Sequence, residues 1–133
     1  MFSLTVSDHI MIAHSFTGEE FGPAQRLHGA TFTVEAEFRA PKLDPHQILV
    51  DVALARTELR RALDPLDYRN LDDLAVFSGI NTTMEQMAAH IHAALAAACR
   101  DGALGDAGRA VTALKIVLRE SPNAWAAYES PIR

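Results

Sequence analysis

The sequence predicts an α+β fold: one antiparallel sheet of four strands with two helices on one face, in the order β, β, α, α, β, β. Three observations lead there. Phe32, Val34, Ala36 and Phe38 alternate with Thr33, Glu35 and Glu37, the period of a strand with one buried and one wet face. Two later segments carry apolar residues at helical spacing, one ended by Pro65 and the other preceded by a capping signal. A second alternating run, Ala110 to Glu120, is followed by a short turn and an aromatic segment.

From Phe2 to His14, β-branched and apolar residues mix with polar ones, predicting a first strand. Ser15 to Arg26 gathers Gly18, Gly22 and Pro23 with Glu19 and Glu20, the composition of a loop. The second strand carries the alternation from Phe32 to Phe38. After the turn between Pro41 and Pro45, Asp51 is placed to cap a helix whose Val52, Ala55, Leu59, Ala62 and Leu63 share a face. Its Arg56, Arg60 and Arg61 are expected on the solvated side. Thr82-Thr83-Met84-Glu85 fits a capping box with Thr82 as N-cap, ahead of Met84, Met87, Ala88, Ile91, Leu95 and Ala98. Gly102 and Gly105 end that helix. The third strand puts Thr112, Leu114, Ile116, Leu118 and Glu120 on one side, and Ser121-Pro122-Asn123 turns the chain into a fourth strand through Trp125 and Tyr128. No internal repeat interrupts this order.

At 133 residues and 49% apolar content the chain is expected to form one domain, residues 1–133, with a single core. A net charge of −5 opposes attraction to a phosphate backbone, so no nucleic-acid partner is expected. The apolar stretch from Met87 to Cys99 contains His90 and His92 and is too short to cross a bilayer, so no membrane partner is expected. Cys99 is the only cysteine and excludes an intrachain disulfide. With no basic, apolar leader at Met1-Phe2-Ser3, the expected location is cytoplasmic. A small four-stranded sheet leaves two open edges, so association of several copies edge to edge is expected.

The order of elements and of short motifs resembles the family of 6-pyruvoyltetrahydropterin and 6-carboxytetrahydropterin synthases, which has the tunnelling fold. Ile12-Ala13-His14 is similar to the strand end that carries a zinc histidine. Ala24-Gln25-Arg26-Leu27-His28-Gly29-Ala30 is similar to the family's Cys-x-x-x-His-Gly-His, with alanine at both the cysteine and the last histidine. Leu49-Val50-Asp51-Val52 resembles the start of the first helix. Leu66-Asp67-Tyr68-Arg69-Asn70-Leu71-Asp72 resembles Leu-Asp-His-x-x-Leu-Asn, with tyrosine for histidine. Thr82-Thr83-Met84-Glu85 resembles Pro-Thr-x-Glu, and Glu120 matches the glutamate that anchors a pterin ring.

The resemblance implies a divergent, zinc-dependent lyase acting on a pterin-like or purine-like small molecule of the dihydroneopterin triphosphate type. It also implies a homo-oligomer, trimeric or hexameric. The metal ligands it implies are His14 and His28. Two imidazoles suit zinc but fall short of the three protein ligands of an ordinary catalytic site. Asp8, six residues before His14 on the same strand face, is one possible substitute, and His9 and His46 are others. The alternative is that both histidines are polar residues at strand ends. Glu120 and Thr83 are the expected substrate contacts. A carboxylate at the mouth of an otherwise apolar strand face needs donors, and the amino and ring NH groups of a pterin supply two in parallel. Asp67 is the expected catalytic aspartate. Its neighbour Tyr68 is a poor base at neutral pH, and a helix-end loop with a packing tyrosine is an equal reading. Glu19 and Glu20 read as a solvated acidic loop or, alternatively, a source of a base. Cys99 reads as a small buried hydrophobe. With cysteine and two histidines replaced, a catalytically silent homologue that binds a pterin-like ligand or a partner protein is the competing functional reading.

Overall fold

The computed structural model describes residues 1–133 and is α+β. Strands β1 (Phe2–His14) and β2 (His28–Ala40) pair antiparallel along their whole length, with His14 opposite His28. Helix α1 (Val52–Leu63) follows, then a two-residue strand β3 (Arg69–Asn70), helix α2 (Met84–Arg100), and strands β4 (Ala113–Ser121) and β5 (Ala124–Pro131). The sheet order is β3-β1-β2-β4-β5. The expected four-stranded antiparallel sheet is thus a five-stranded mixed one, because β3 adds parallel to β1 at Ile12 and Ala13. Two residues carry no alternation, so nothing in the sequence could announce that strand.

Even-numbered residues of β1, β2 and β4 form the inner face, where Ile10, Ile12, Phe32, Val34, Phe38, Leu114, Ile116 and Leu118 are buried. The helices cover this face. α1 contributes Ala55, Leu59 and Leu63, and α2 contributes Met87, Ile91 and Leu95, to one core of 28 residues. On the outer face, the ion pairs Arg119 to Glu35 and Arg39 to Glu129 join different strands, Arg39 also pairs with Glu37 along β2, and Arg119 stacks 4.8 Å from the Trp125 ring. This face is wet and held by charge pairs, as the alternation in β2 implies.

Local signals hold with three corrections. Asp51 caps α1 by accepting from Leu54 N. The N-cap of α2 is Thr83, whose hydroxyl accepts from Gln86 N, rather than Thr82, which is buried and engaged elsewhere. Arg60 is not a free solvated cation: it binds Asp8, Asp64 and Asp67 at 3.3, 2.8 and 2.9 Å and the His9 carbonyl at 3.2 Å. Tyr68 does not pack: it is 79% exposed at a positive φ of 58°, at the sharp turn where its N–H bonds to Met11 O before β3. No helix is long and apolar enough to cross a membrane.

Candidate functional site

The inner face continues past the apolar core to one end of the sheet, where its last positions are His14, His28 and Glu120 instead of aliphatic residues. All three line a single cavity of about 270 Å³ with Phe16, Ala24, Phe32, Thr83, Met84 and Glu85. Strand periodicity creates this convergence: each side chain lies an even number of residues from the core positions of its own strand.

His14 is the most constrained of the group. It is 4% exposed, its ring centroid lies 4.6 Å from that of His28 and 4.7 Å from Phe16, and its Nδ1 sits 3.0 Å from the Thr82 hydroxyl. Burial lowers its proton affinity, and His28 lowers it further, against the opposing pull of Thr82, Asp72 and Glu120. Burial and His28 thus favour the neutral ring, the form that ligates metal or accepts a proton. His28 Nδ1 lies 2.8 Å from the Arg26 carbonyl, which can only accept, so that nitrogen carries the proton. Nε2 of His28 is thereby left with its lone pair, the arrangement usual for a ligating histidine.

The end of β1 is clamped by the segment between β3 and α2. Asp72 accepts from Ser15 N and Oγ, and Asn81 both accepts from Thr17 N and donates to Thr17 O. Thr82 follows directly, so its hydroxyl reaches His14 from a fixed backbone. The 3-10 turn Glu19–Gln25 folds back over this end through Phe16 N to Ala24 O at 3.0 Å, which delivers Ala24 to the cavity wall. Its Glu19 and Glu20 are exposed and do not line the cavity.

Of the residues singled out in the sequence, the fold brings together His14, His28, Thr83 and Glu120. Asp67 is elsewhere: its carboxylate accepts from Met11 N at 3.0 Å and pairs with Arg60 at 2.9 Å. Asp8 is likewise taken by Arg60, at 3.3 Å, and supplies no third metal ligand. No group of three or more His, Cys, Asp or Glu is arranged to hold a metal ion. Ala30 explains the shortfall, since it occupies the inner-face position next to His28 and opposite Ile12. The donor set fits half a zinc site, two imidazoles with available nitrogens, and lacks a third protein ligand.

Glu85 and Thr82 are the residues that sequence reasoning underrated. Both read as capping residues, and the capping motif masked their second use. Glu85 lies in the first turn of α2 and lines the cavity, and neither its carboxylate nor that of Glu120 has a hydrogen-bond or ion-pair partner in the chain.

Comparison with solved structures agrees with this architecture. The 6-pyruvoyl tetrahydropterin synthase of Caenorhabditis elegans superposes with a TM-score of 0.79 at 22% identity, covering 97% of this chain and 95% of that one. The Plasmodium vivax enzyme of the same name gives 0.79 at 16% identity, with 98% of both chains covered. A variant of the latter in which a catalytic glutamate is replaced by alanine gives 0.78 at 15% identity, again over 98% of both chains. A search of curated protein sequences finds no significant match. The family described as 6-pyruvoyl tetrahydropterin synthase matches residues 3–131, nearly the whole chain, and the protein belongs to that family.

Proposed function

We propose that the cavity binds a pterin-like molecule of the dihydroneopterin triphosphate type and promotes a lyase reaction on its side chain. The observation that supports this most is the meeting of His14, His28 and Glu120 in one cavity at the end of the core. Glu120 is the ring anchor in this reading. Its unpartnered carboxylate accepts from the amino group and adjacent ring NH of the pterin, a charge-assisted pair of hydrogen bonds. Phe16 and Phe32 supply apolar walls, and Thr83 is a substrate contact at the start of α2.

His14 and His28 are the residues that would hold zinc, through Nε2, and when bound the ion would engage the side-chain hydroxyls as a Lewis acid. Thr82 and the Arg26 carbonyl fix the orientation of these two rings whether or not metal is present. Asp67 does not reach the cavity of its own chain, so a catalytic role for it requires the cavity to be completed by another copy, joined along the open sheet edges as a trimer or hexamer. The protein in this reading works as a cytoplasmic homo-oligomer.

A second reading is favoured by Ala24, Ala30 and the engagement of Asp67 with Arg60: a silent homologue that binds a pterin-like or purine-like ligand, or a partner protein, without chemistry. Metal analysis of the purified protein, followed by incubation with 7,8-dihydroneopterin triphosphate and chromatography of the products, separates the two. Zinc with turnover supports the lyase; tight pterin binding with neither supports the silent homologue.

A further inference from the structure

We propose that Glu85 is the proton acceptor of this cavity. The inference rests on the lyase reading above and names the group that performs its proton transfer.

Breaking a carbon–carbon bond next to a dihydropterin ring needs a base at the side-chain hydroxyl. In the retro-aldol direction the base takes the proton of the hydroxyl on the second side-chain carbon, and that oxygen forms a carbonyl. The bond between the first and second carbons breaks, its electron pair passes into the ring imine, and the same proton is returned to the first carbon. Atoms and electrons balance without an oxidant or reductant.

The groups on the cavity wall that could accept this proton are few. His14 has Nδ1 against Thr82, His28 has Nδ1 committed to the Arg26 carbonyl, and in the lyase reading their Nε2 atoms are the metal ligands. Ala24 offers no functional group. The acidic pair Glu19 and Glu20 lies off the wall, and Asp67 is held by Arg60 and Met11 N. Two carboxylates remain, Glu120 and Glu85. Glu120 is on the sheet and reads the ring edge; Glu85 stands in the first turn of α2, the other side of the cavity, beside Thr83. A ligand anchored by its ring to Glu120 extends its side chain between the histidines and α2. Glu85 is exposed and free of protein partners, so it can reach a hydroxyl without breaking an existing contact. A carboxylate in the first helical turn also complements the helix dipole, a purely structural role that the test must separate from catalysis.

The test measures kcat, KM and the pH profile of kcat for the wild type, E85Q and E85D, with 7,8-dihydroneopterin and its triphosphate as probes and binding followed by calorimetry. Removal of a general base is expected to lower kcat roughly 100- to 10,000-fold while KM and calorimetric affinity change little. E85Q is expected to lose the acidic limb of the profile, and E85D to keep that limb at reduced kcat. Wild-type turnover that E85Q leaves intact overturns the role of Glu85 alone. A loss of affinity equal to the loss of rate makes Glu85 a binding residue and also overturns it. Binding of either probe by the wild type without turnover overturns this proposal together with the lyase reading, and absence of binding overturns the pterin reading itself.

Discussion

Two groups of carboxylates on this chain have opposite fates. Beside α1, Asp8, Asp64 and Asp67 converge on the single guanidinium of Arg60, and Asp67 and Asp8 also accept backbone N–H groups from Met11 and His9. At the end of the sheet, Glu85 and Glu120 border a cavity that contains no cation of the chain. The first group shares one cation of the fold, which ties α1 and the turn after it to β1. The second has its acceptors unused, in a place where apolar walls strengthen any donor that arrives. Residue type alone does not separate them; what does is whether the fold supplies the counter-charge. Within its own chain Asp67 is tied to Arg60 and Met11 N, whereas Glu85, which reads as a capping residue, lines the cavity.

The contrast breaks most sharply at Glu120. Glu120→Gln keeps the shape but replaces a charged acceptor by an amide, and pterin affinity measured by calorimetry should fall roughly 10- to 100-fold, the worth of a charge-assisted bond. Unchanged affinity would place the ring elsewhere. Next in size is Thr82→Val, which removes the hydroxyl 3.0 Å from His14 Nδ1. Competition of the protein against a zinc-binding dye should show zinc affinity about 10-fold weaker, since partners that fix a ligating ring matter at that level. Circular dichroism should show the fold retained. At the Arg60 cluster, Arg60→Met should leave pterin affinity alone and cost stability of about 1 kcal/mol, a modest figure because the guanidinium is 32% exposed. That corresponds to a fall in Tm of roughly 3–5 °C for a domain of this size. A drop in ligand affinity instead would tie that cluster to the cavity and dissolve the distinction.

Most of the scaffold was legible because it rests on periodicity. The β2 alternation, the stop at Pro65 and the cap at Asp51 appear where the sequence puts them, and inner-face parity alone places His14, His28 and Glu120 on one side of the sheet. Features that depend on a single backbone turn were not legible. β3 is two residues long and forms because Tyr68 adopts a left-handed conformation that lets its N–H meet Met11 O. Such a turn leaves no pattern to read. The capping motif was ambiguous for a similar reason: two adjacent threonines offer the same chemistry, and only burial shows that Thr83 caps the helix while Thr82 turns to His14. Arg60 was read as solvated because its partners come from β1 and from the turn after α1, a convergence that helical spacing cannot reveal.

The smallest effect concerns two histidines, His14 in the cavity and His90 outside both groups. His90 on α2 packs its ring 4.8 Å from Phe77, and burial lowers its proton affinity. His14 is lowered first by burial as well, but it has acidic neighbours pulling the other way. A histidine whose folded pKa lies below its unfolded value binds fewer protons when folded, so stability rises with pH through that interval. Its contribution is fully present above the unfolded value of about 6.5 and is lost as pH falls below it toward the lowered folded value. The Tm of the wild type should therefore decline from about pH 7 to about pH 5.5, and His90→Gln should flatten that decline without abolishing it, because His14 contributes in the same sense. Circular dichroism melts at a series of pH values check the slope. A slope unaffected by His90→Gln would assign the whole acid sensitivity to the cavity and would mean that the Phe77 contact opens in solution.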